Sequence, residues 1–176
     1  MANSLELVTE SEGEENFFAA TASEHGVILL APHIGNWEIF GFYLCEKLKS
    51  TWLYQPPEFK LMDQFITKTR SRAGIEMAPT HRIGVSKVLA ALRRGEVVGI
   101  LPDQIPPAEG GRFVPFFGEP ALTMTLPSKL IQKTKAKVFC GFAQRLPNAR
   151  GYKIIVEEAI SDIYSEDLDE SVMALN

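Results

Sequence analysis

The sequence predicts an α/β domain in which a mixed, mostly parallel sheet is flanked by helices. Two short apolar runs rich in branched residues, VILLA at 27–31 and VVGIL at 97–101, are typical of strands buried on both faces of a sheet. Between these runs, segments with helical spacing alternate with further short strands, which is the pattern of a parallel sheet. A chain of 176 residues with 45% hydrophobic content is long enough for one core. We therefore expect a single domain over residues 1–176.

The first predicted unit is a strand, a turn and a helix. The strand at 27–31 is followed by Pro32 and Gly35, which break regular structure. Asn36 is the expected N-cap, and Glu38 in the first turn suits the helix dipole. Apolar residues then recur at helical spacing at Trp37, Phe40, Leu44 and Leu48.

The rest of the chain continues this alternation. We predict, in order, strand 51–54, helix 58–72, strand 75–78, helix 84–94, strand 97–101, a proline-rich and glycine-rich loop at 102–111, helix 123–134, and strands 137–144 and 152–157. Pro127 fits its helix only in the first turn, where amide groups lack partners. Residues 1–14 carry little pattern, and residues from 167 begin a helix.

Composition narrows the class of function. With 22 acidic against 18 basic side chains, the bulk charge does not indicate a nucleic-acid binder. Cys45 and Cys140 show no spacing typical of a zinc site or a disulfide framework, so we expect reduced core thiols and a cytoplasmic protein. The sequence has no apolar stretch long enough to cross a bilayer, and its acidic start is unlike a signal peptide.

His33 is the candidate general base. It follows a buried strand at the carboxyl edge of the predicted sheet, where open α/β sheets keep their sites. Glu38, in the first helical turn, is placed to hold the other ring nitrogen and stabilise an imidazolium. No serine or cysteine is adjacent, so His33 is expected to activate a hydroxyl brought by the substrate. The alternative is that His33 is a turn residue and Glu38 only complements the helix dipole.

Asp103 and Gln104 are further candidates. They follow the strand at 97–101, again at a carboxyl end. We predict that both belong to the site, although an aspartate after Pro102 is also ordinary turn chemistry.

The motif His33-Ile34-Gly35-Asn36-Trp37-Glu38 is one of several recognisable motifs in this chain. It is followed by Tyr54-Gln55-Pro56-Pro57, Arg70-Ser71-Arg72, Pro102-Asp103-Gln104 and the run FVPFFG at 113–118. In this order and spacing, from about Gly26 to Glu158, the chain resembles the lipid A biosynthesis acyltransferases, the lauroyl and myristoyl transferases within the HxxxxD/E glycerolipid acyltransferase superfamily.

The resemblance implies a reaction and its participants. The donor would be a fatty acyl thioester of acyl-carrier protein, and the acceptor a hydroxyl of a lipid A precursor. His33 would take the hydroxyl proton, Glu38 would hold His33, and backbone amides near the helix start would stabilise the oxyanion. Arg70, or Arg72 in its place, would bind an anionic group. Asn36 and Trp37 are assigned to substrate binding, and neither metal nor redox cofactor is implied.

The resemblance also bears on the extent and location of the protein. Family members usually carry a membrane-spanning helix before this core and a tail rich in aromatic and basic residues after it, so we expect a core truncated at both ends. Its expected location is the cytoplasm, peripheral on the inner face of the bacterial inner membrane. Two alternatives remain open: acylation of glycerol phosphate or a lysophospholipid, and a non-catalytic module that binds anionic lipid through the arginines.

Overall fold

The computed structural model describes residues 4–72 and 75–176, and the side chains of Ser4, Leu5, Cys45, Lys47 and Arg72 lie outside that description. Helices and strands follow one another along these residues in the order α1 (Ser4–Leu7), β1 (Val8–Glu12), α2 (Glu14–Thr21), β2 (Val27–Leu30), α3 (Trp37–Lys47), β3 (Ser50–Tyr54), α4 (Lys60–Arg72), β4 (Ile75–Pro79), α5 (Arg82–Arg93), β5 (Val97–Ile100), β6 (Gly111–Phe116), β7 (Glu119–Met124), α6 (Leu126–Thr134), β8 (Lys137–Arg145), β9 (Tyr152–Glu158) and α7 (Leu168–Met173).

Seven strands form one sheet in the order β1-β9-β8-β2-β5-β3-β4. All neighbours pair in parallel except β8 and β9, which run antiparallel around the turn at 147–151. The predicted mixed, mostly parallel α/β fold is therefore confirmed. The two central strands, β2 and β5, are buried along their whole length, as their branched apolar residues predict.

Helices cover both faces of the sheet, and the alternation of side chains along β2 shows how. Val27 and Leu29 pack into one hydrophobic layer with Phe40 and Leu44 of α3. Ile28 and Leu30 point the other way, into a second layer with residues of α5 and α6, among them Val88, Leu92, Leu130 and Ile131. Burial of apolar side chains on both faces is what fixes the sheet between its helices.

Three regions differ from the sequence prediction. Residues 8–12, in the segment 1–14 that carries little pattern, form an edge strand; four of the five residues of β1 are exposed, so apolar and polar residues do not alternate. Residues 14–21 form a helix for which the sequence gave no prediction. The segment from 111 to 124 is a β-hairpin, and Thr123 lies in β7, so the helix predicted from 123 begins at Leu126. Pro127 does lie in the first turn. Cys140 is exposed, which corrects its assignment to the core.

Candidate active site

The site begins where β2 and β5 end side by side. Leu30 pairs with Ile100 in the parallel ladder between the two strands. His33 and Asp103 each lie three residues beyond the last residue of their strand, after a turn that contains a proline. Equal turns on neighbouring parallel strands bring the two side chains together at the carboxyl edge of the sheet.

Asp103 holds His33 through two hydrogen bonds. The backbone N–H of His33 donates to Oδ2 of Asp103 at 2.7 Å, and the ring Nδ1 lies 2.8 Å from Oδ1. An Nδ1–H donated to the carboxylate leaves the lone pair on Nε2, the nitrogen that can accept a proton. The imidazole is 38% exposed, so a substrate can reach it while its orientation is fixed.

The two bonds from His33 also affect the charge of Asp103. Partial burial raises the pKa of the Asp103 carboxyl, but the hydrogen bonds from the His33 backbone and ring outweigh it, and the net pKa is lowered. Asp103 is therefore ionised at neutral pH, which is the state required to stabilise an imidazolium.

Glu38 lies in the same motif but has a different partner. Its Oε1 accepts a hydrogen bond from Nη2 of Arg70 at 3.1 Å. The guanidinium carbon lies 4.9 Å from the ring centroid of Trp37, in cation–π range, and the Arg70 side chain is only 15% exposed. Helix α4 thus brings Arg70 against the first turn of α3.

The turn between His33 and α3 is fixed by Gly35 and Asn36. Gly35 has a φ of +63°, and a Cβ there would overlap the carbonyl oxygen of Ala143 on β8. The backbone N–H of Asn36 donates to the same oxygen at 2.9 Å. The Asn36 side chain accepts from the N–H of Ile39 at 3.1 Å, capping α3, and donates to the hydroxyl of Tyr152 at 3.1 Å.

A cavity of about 250 Å³ opens beside His33. Its polar end is formed by His33, Glu38, Arg70, Gln104, Gln55 and Thr80. Its apolar part lies between the sheet and helices α3 and α4, and includes Phe42, Trp52, Ile66, Ile75, Met77 and Leu101. A polar mouth joined to an apolar interior suits an amphipathic ligand with its reactive group at His33.

Comparison with known proteins identifies the family of this chain. A model of the bacterial lipid A biosynthesis acyltransferases matches residues 2–176 of the chain. The chain belongs to that family. The lipid A biosynthesis acyltransferase of Haemophilus influenzae is 30% identical over 173 residues, which cover 98% of this chain and 54% of the relative.

Two further relatives match the chain at lower identity. A lipid A biosynthesis palmitoleoyltransferase of Escherichia coli is 24% identical over 168 residues, covering 94% of this chain and 53% of its own length. A phosphatidylinositol mannoside acyltransferase of Mycobacterium tuberculosis is 27% identical over 181 residues, covering 89% of this chain and 54% of its own. The chain spans about half the length of the curated relatives it matches.

The structure changes the pairing expected within this acyltransferase motif. Glu38 was expected to hold the ring of His33, but the ring is hydrogen-bonded through Nδ1 to Asp103, and Glu38 pairs with Arg70. The reason is tertiary: β5 lies next to β2 and supplies Asp103, while α4 supplies a cation to Glu38.

The other predicted residues divide into those that line the cavity and those that do not. Trp37, Arg70 and Gln104 line it. Asn36, predicted to bind substrate, does not, because its amide is used within the fold. The side chain of Arg72 lies outside the described residues.

Tyr54 is a cavity residue to which the sequence analysis gave no role. It ends β3, and its hydroxyl donates to Oδ1 of Asp63 at 3.0 Å. Burial raises the pKa of the Tyr54 phenol, and the bond to Asp63 adds to the rise, so it stays protonated as a donor. Its position at the carboxyl end of a parallel strand, the rule that found His33 and Asp103, is the signal that could have found it.

The described ranges, 4–72 and 75–176, contain neither a cluster of metal-ligating side chains nor a membrane-spanning helix. No group of three or more histidine, cysteine or carboxylate side chains there is arranged to hold a metal ion. In the same part of the chain, no helix combines the length and apolar character needed to cross a membrane.

Proposed function

We propose that this chain is the catalytic core of an acyltransferase that moves a fatty acyl group from an acyl-carrier-protein thioester to a hydroxyl of a lipid A precursor, with His33 as general base. The observation that carries the proposal is the His33–Asp103 pair at the mouth of an apolar cavity. Membership of the lipid A acyltransferase family supports the choice of acceptor.

The proposed reaction needs one proton to move twice. Nε2 of His33 removes the proton of the acceptor hydroxyl as its oxygen attacks the thioester carbonyl, and Asp103 stabilises the resulting imidazolium. When the tetrahedral intermediate collapses, the carbon–sulfur bond breaks and the sulfur takes the proton from Nε2. The products are an ester and the free thiol of the carrier.

Stabilisation of the oxyanion is assigned to the start of α3. Among the described residues, no hydrogen bond occupies the N–H groups of Trp37 and Glu38, which are the first two of the helix. They lie at the positive end of the helix dipole and close to His33 in the chain. Such donors are placed where charge develops during acyl transfer.

Glu38 and Arg70 are proposed to act beside the reaction and not in the proton transfer. Arg70 gives one hydrogen bond to Glu38, and a guanidinium has five N–H donors, so others remain for an anion. Packing on Trp37 holds the guanidinium plane at the cavity wall. We propose that Arg70 binds a phosphate of a substrate, with Glu38 fixing its direction, and that Trp37 and Gln104 line the substrate path.

Contact with the inner face of the inner membrane is part of the proposal. Helix α4 and the residue before it carry large apolar side chains that are more than half exposed: Phe59, Leu61, Met62 and Phe65. A neighbouring face of α4 supplies Ile66 and Arg70 to the cavity. An exposed apolar face beside a lipid-binding cavity supports a peripheral location on a bilayer.

The test is transfer by the purified chain with labelled acyl-carrier-protein thioester and a panel of acceptors. The panel holds a lipid A precursor, a phosphatidylinositol mannoside, glycerol phosphate and a lysophospholipid. Transfer to the lipid A precursor, lost in His33→Ala, is the expected result. Transfer to another acceptor alone would replace the assigned substrate. Binding of anionic vesicles by both proteins, without transfer by either, would favour the non-catalytic module.

A further inference from the structure

Helix α5 and the residues beside it carry only positive charges, in a chain whose net charge is -4. The sequence from Met77 to Gly95 contains no aspartate or glutamate. The basic side chains of this segment are Arg82, Lys87, Arg93 and Arg94. This helix is therefore a local positive surface on an acidic protein.

The four cations of this surface divide into two pairs with different surroundings. Lys87 lies 3.2 Å from Oε1 of Glu76, and Arg94 lies 2.7 Å from Oε2 of Glu96. Arg82 and Arg93 are exposed, and neither forms an ion pair with any other residue that the structure describes. Their charges are therefore available to a partner.

Helix geometry places these two arginines on one side of α5. They are separated by about three helical turns, or roughly 16 Å along the axis, so both point in nearly the same direction. Ser86, which is also exposed, lies between them on that side. We call Arg82, Ser86 and Arg93 the arginine stripe.

The arginine stripe begins beside the cavity that contains His33. Thr80 lines the cavity two residues before Arg82, and its hydroxyl donates to the side-chain oxygen of Gln55, another cavity residue. Ile83, next to Arg82, is 68% exposed and adds an apolar contact surface at this end. A partner bound along the stripe would therefore have one end close to the cavity.

The stripe and the exposed apolar surface of α4 lie on opposite faces of the sheet. Val88 and Leu92 of α5 pack in the layer that contains Ile28 and Leu30 of β2. The cavity that α4 helps to line is walled by residues of the other layer, among them Trp52. The bilayer contact proposed for α4 therefore leaves the face with α5 available to a soluble macromolecule.

We propose that the arginine stripe of α5 is the docking surface for the acyl-carrier protein that delivers the donor thioester. An acyl-carrier protein is an acidic protein that presents its acyl group on a flexible arm, so its charge is complementary to the stripe. Docking at Arg82 and Ile83 directs that arm past Thr80 to His33. The identity of the partner rests on the proposed function, because the stripe itself requires only a partner with acidic groups.

The first test is binding, which needs no catalysis. The probe is fluorescently labelled holo-acyl-carrier protein, which has the arm but no acyl group, and its Kd for the chain is measured by anisotropy. The double variant Arg82→Glu/Arg93→Glu should raise Kd by about tenfold at low salt, and the difference should shrink as salt is added. Carrier variants with surface carboxylates changed to lysine should include some that regain affinity for this double variant.

The matched control makes the same charge change on the neighbouring helix. Lys129 and Lys133 are exposed on α6, which packs against α7 and its carboxylates Asp169 and Glu170. Lys129→Glu/Lys133→Glu should leave Kd within about twofold of the parent, because a bulk charge effect on a surface pair is screened by salt. Thermal melts check that both double variants are folded.

The second test separates docking from chemistry by changing the donor. Neither arginine of the stripe lines the cavity, so an acyl thioester of free pantetheine should react with unchanged kcat/KM in the Arg82→Glu/Arg93→Glu variant. With the acyl-carrier-protein thioester, KM should rise by about tenfold and kcat should change little, as expected for lost binding. An equal loss with both donors would show damage to the site and would overturn the inference.

The outcomes distinguish this inference from the proposed function. Carrier binding that depends on the stripe, without any transfer by the parent chain, would support the docking surface and refute the proposed function. Transfer with Kd and KM for the carrier unchanged by Arg82→Glu/Arg93→Glu, or an equal loss in the α6 control, would overturn the docking surface. Loss of binding to anionic vesicles in the stripe variant, with carrier binding retained, would also overturn it and assign the stripe to lipid.

Discussion

The two ends of β5 each carry a carboxylate, and the two carboxylates have different surroundings. Glu96, just before the strand, is 12% exposed and lies 2.7 Å from Nη2 of Arg94 and 2.7 Å from Nζ of Lys49. Asp103, just after the strand, is 37% exposed and accepts hydrogen bonds from the backbone and the ring of His33. At the amino edge, cations satisfy the carboxylate. At the carboxyl edge, the partner is a group that can change its charge.

Because of this difference, we expect Glu96 to contribute to the stability of the fold and Asp103 to the chemistry of the site. Hydrogen bonding to Arg94 lowers the pKa of Glu96 to about 2 against the opposing effect of burial, and the bond to Lys49 adds to the lowering. Glu96 is therefore charged at every pH at which the protein is expected to work. The pair at the other end leaves Nε2 of His33 open to the cavity. Substitutions at the two ends should affect different measurements.

The largest expected effect is that of His33→Ala. Loss of a general base lowers kcat by about 100-fold or more. The melting temperature should stay close to that of the parent, because the residue is exposed and its removal opens no core cavity. Single-turnover transfer and thermal melts measure the two effects.

His25→Ala is the matched control, since His25 is exposed just before Gly26 at the amino edge. It should leave both measurements unchanged. If His33→Ala keeps activity within a few-fold of the parent, the carboxyl edge of the sheet does not supply the general base.

Asp103→Asn should come next, with a loss of kcat on the order of 100-fold. An amide cannot stabilise the imidazolium, and it favours the wrong tautomer of His33. Glu38→Gln should cost about tenfold or less in kcat, because Glu38 contacts Arg70 and not the imidazole. The comparison is made from the pH dependence of kcat for both variants. If the Glu38 variant loses as much as the Asp103 variant, Glu38 holds the ring during turnover, as the sequence motif implied.

Arg70→Lys is expected to act mainly on binding. Lysine keeps the charge but loses the planar geometry over Trp37 and the paired hydrogen bonds to a phosphate. We expect KM for a phosphorylated acceptor to rise by about 3–10-fold with little change in kcat, and the effect to shrink for an acceptor without phosphate. Arg72→Lys should do less. Equal behaviour of the two variants with both acceptors would move the anion site elsewhere.

Glu96→Gln should change stability without changing activity. Its folded pKa lies below the ordinary 4.5, so its contribution is present above pH 4.5 and is lost as the pH falls toward 2. At neutral pH the variant should lose roughly 1–2 kcal/mol of unfolding free energy, less than the pKa shift alone gives, because Lys49 and Arg94 are partly in solvent. Urea melts at several pH values measure it. A stability difference that stays constant from pH 7 to about pH 2 would contradict the ion-pair account.

The sequence predicted the fold class and half of the site for identifiable reasons. Apolar runs and helical spacing located β2, α3 and β5, and the carboxyl-edge rule located His33 and Asp103 separately. Their contact was not predicted, because it requires β5 to lie next to β2, and strand order is set by packing of distant elements. The partner of Glu38 was missed for the same reason, since α4 supplies it.

Spacing along the chain also does not show which residues face each other in the fold. Gly41 is visible inside a helical pattern, but the indole that faces it belongs to Trp52 on β3. In the same way β1 was missed, because an edge strand with most of its residues exposed needs no alternation of apolar and polar side chains. Such features depend on what lies across the gap, which spacing along the chain does not show.

The turn that carries His33 is attached to both neighbours of β2. On the β5 side, the carboxylate of Asp103 accepts a hydrogen bond from the backbone N–H of His33. On the β8 side, Gly35 lies against the carbonyl of Ala143, and the same oxygen accepts a hydrogen bond from the N–H of Asn36 at 2.9 Å. Because these contacts are made to the strands next to β2, we expect the turn to stay in place for as long as the centre of the sheet is intact. On heating, the ability to bind and react should persist until cooperative unfolding begins, and hydrogen exchange at Asn36 should be as slow as that of the central strands.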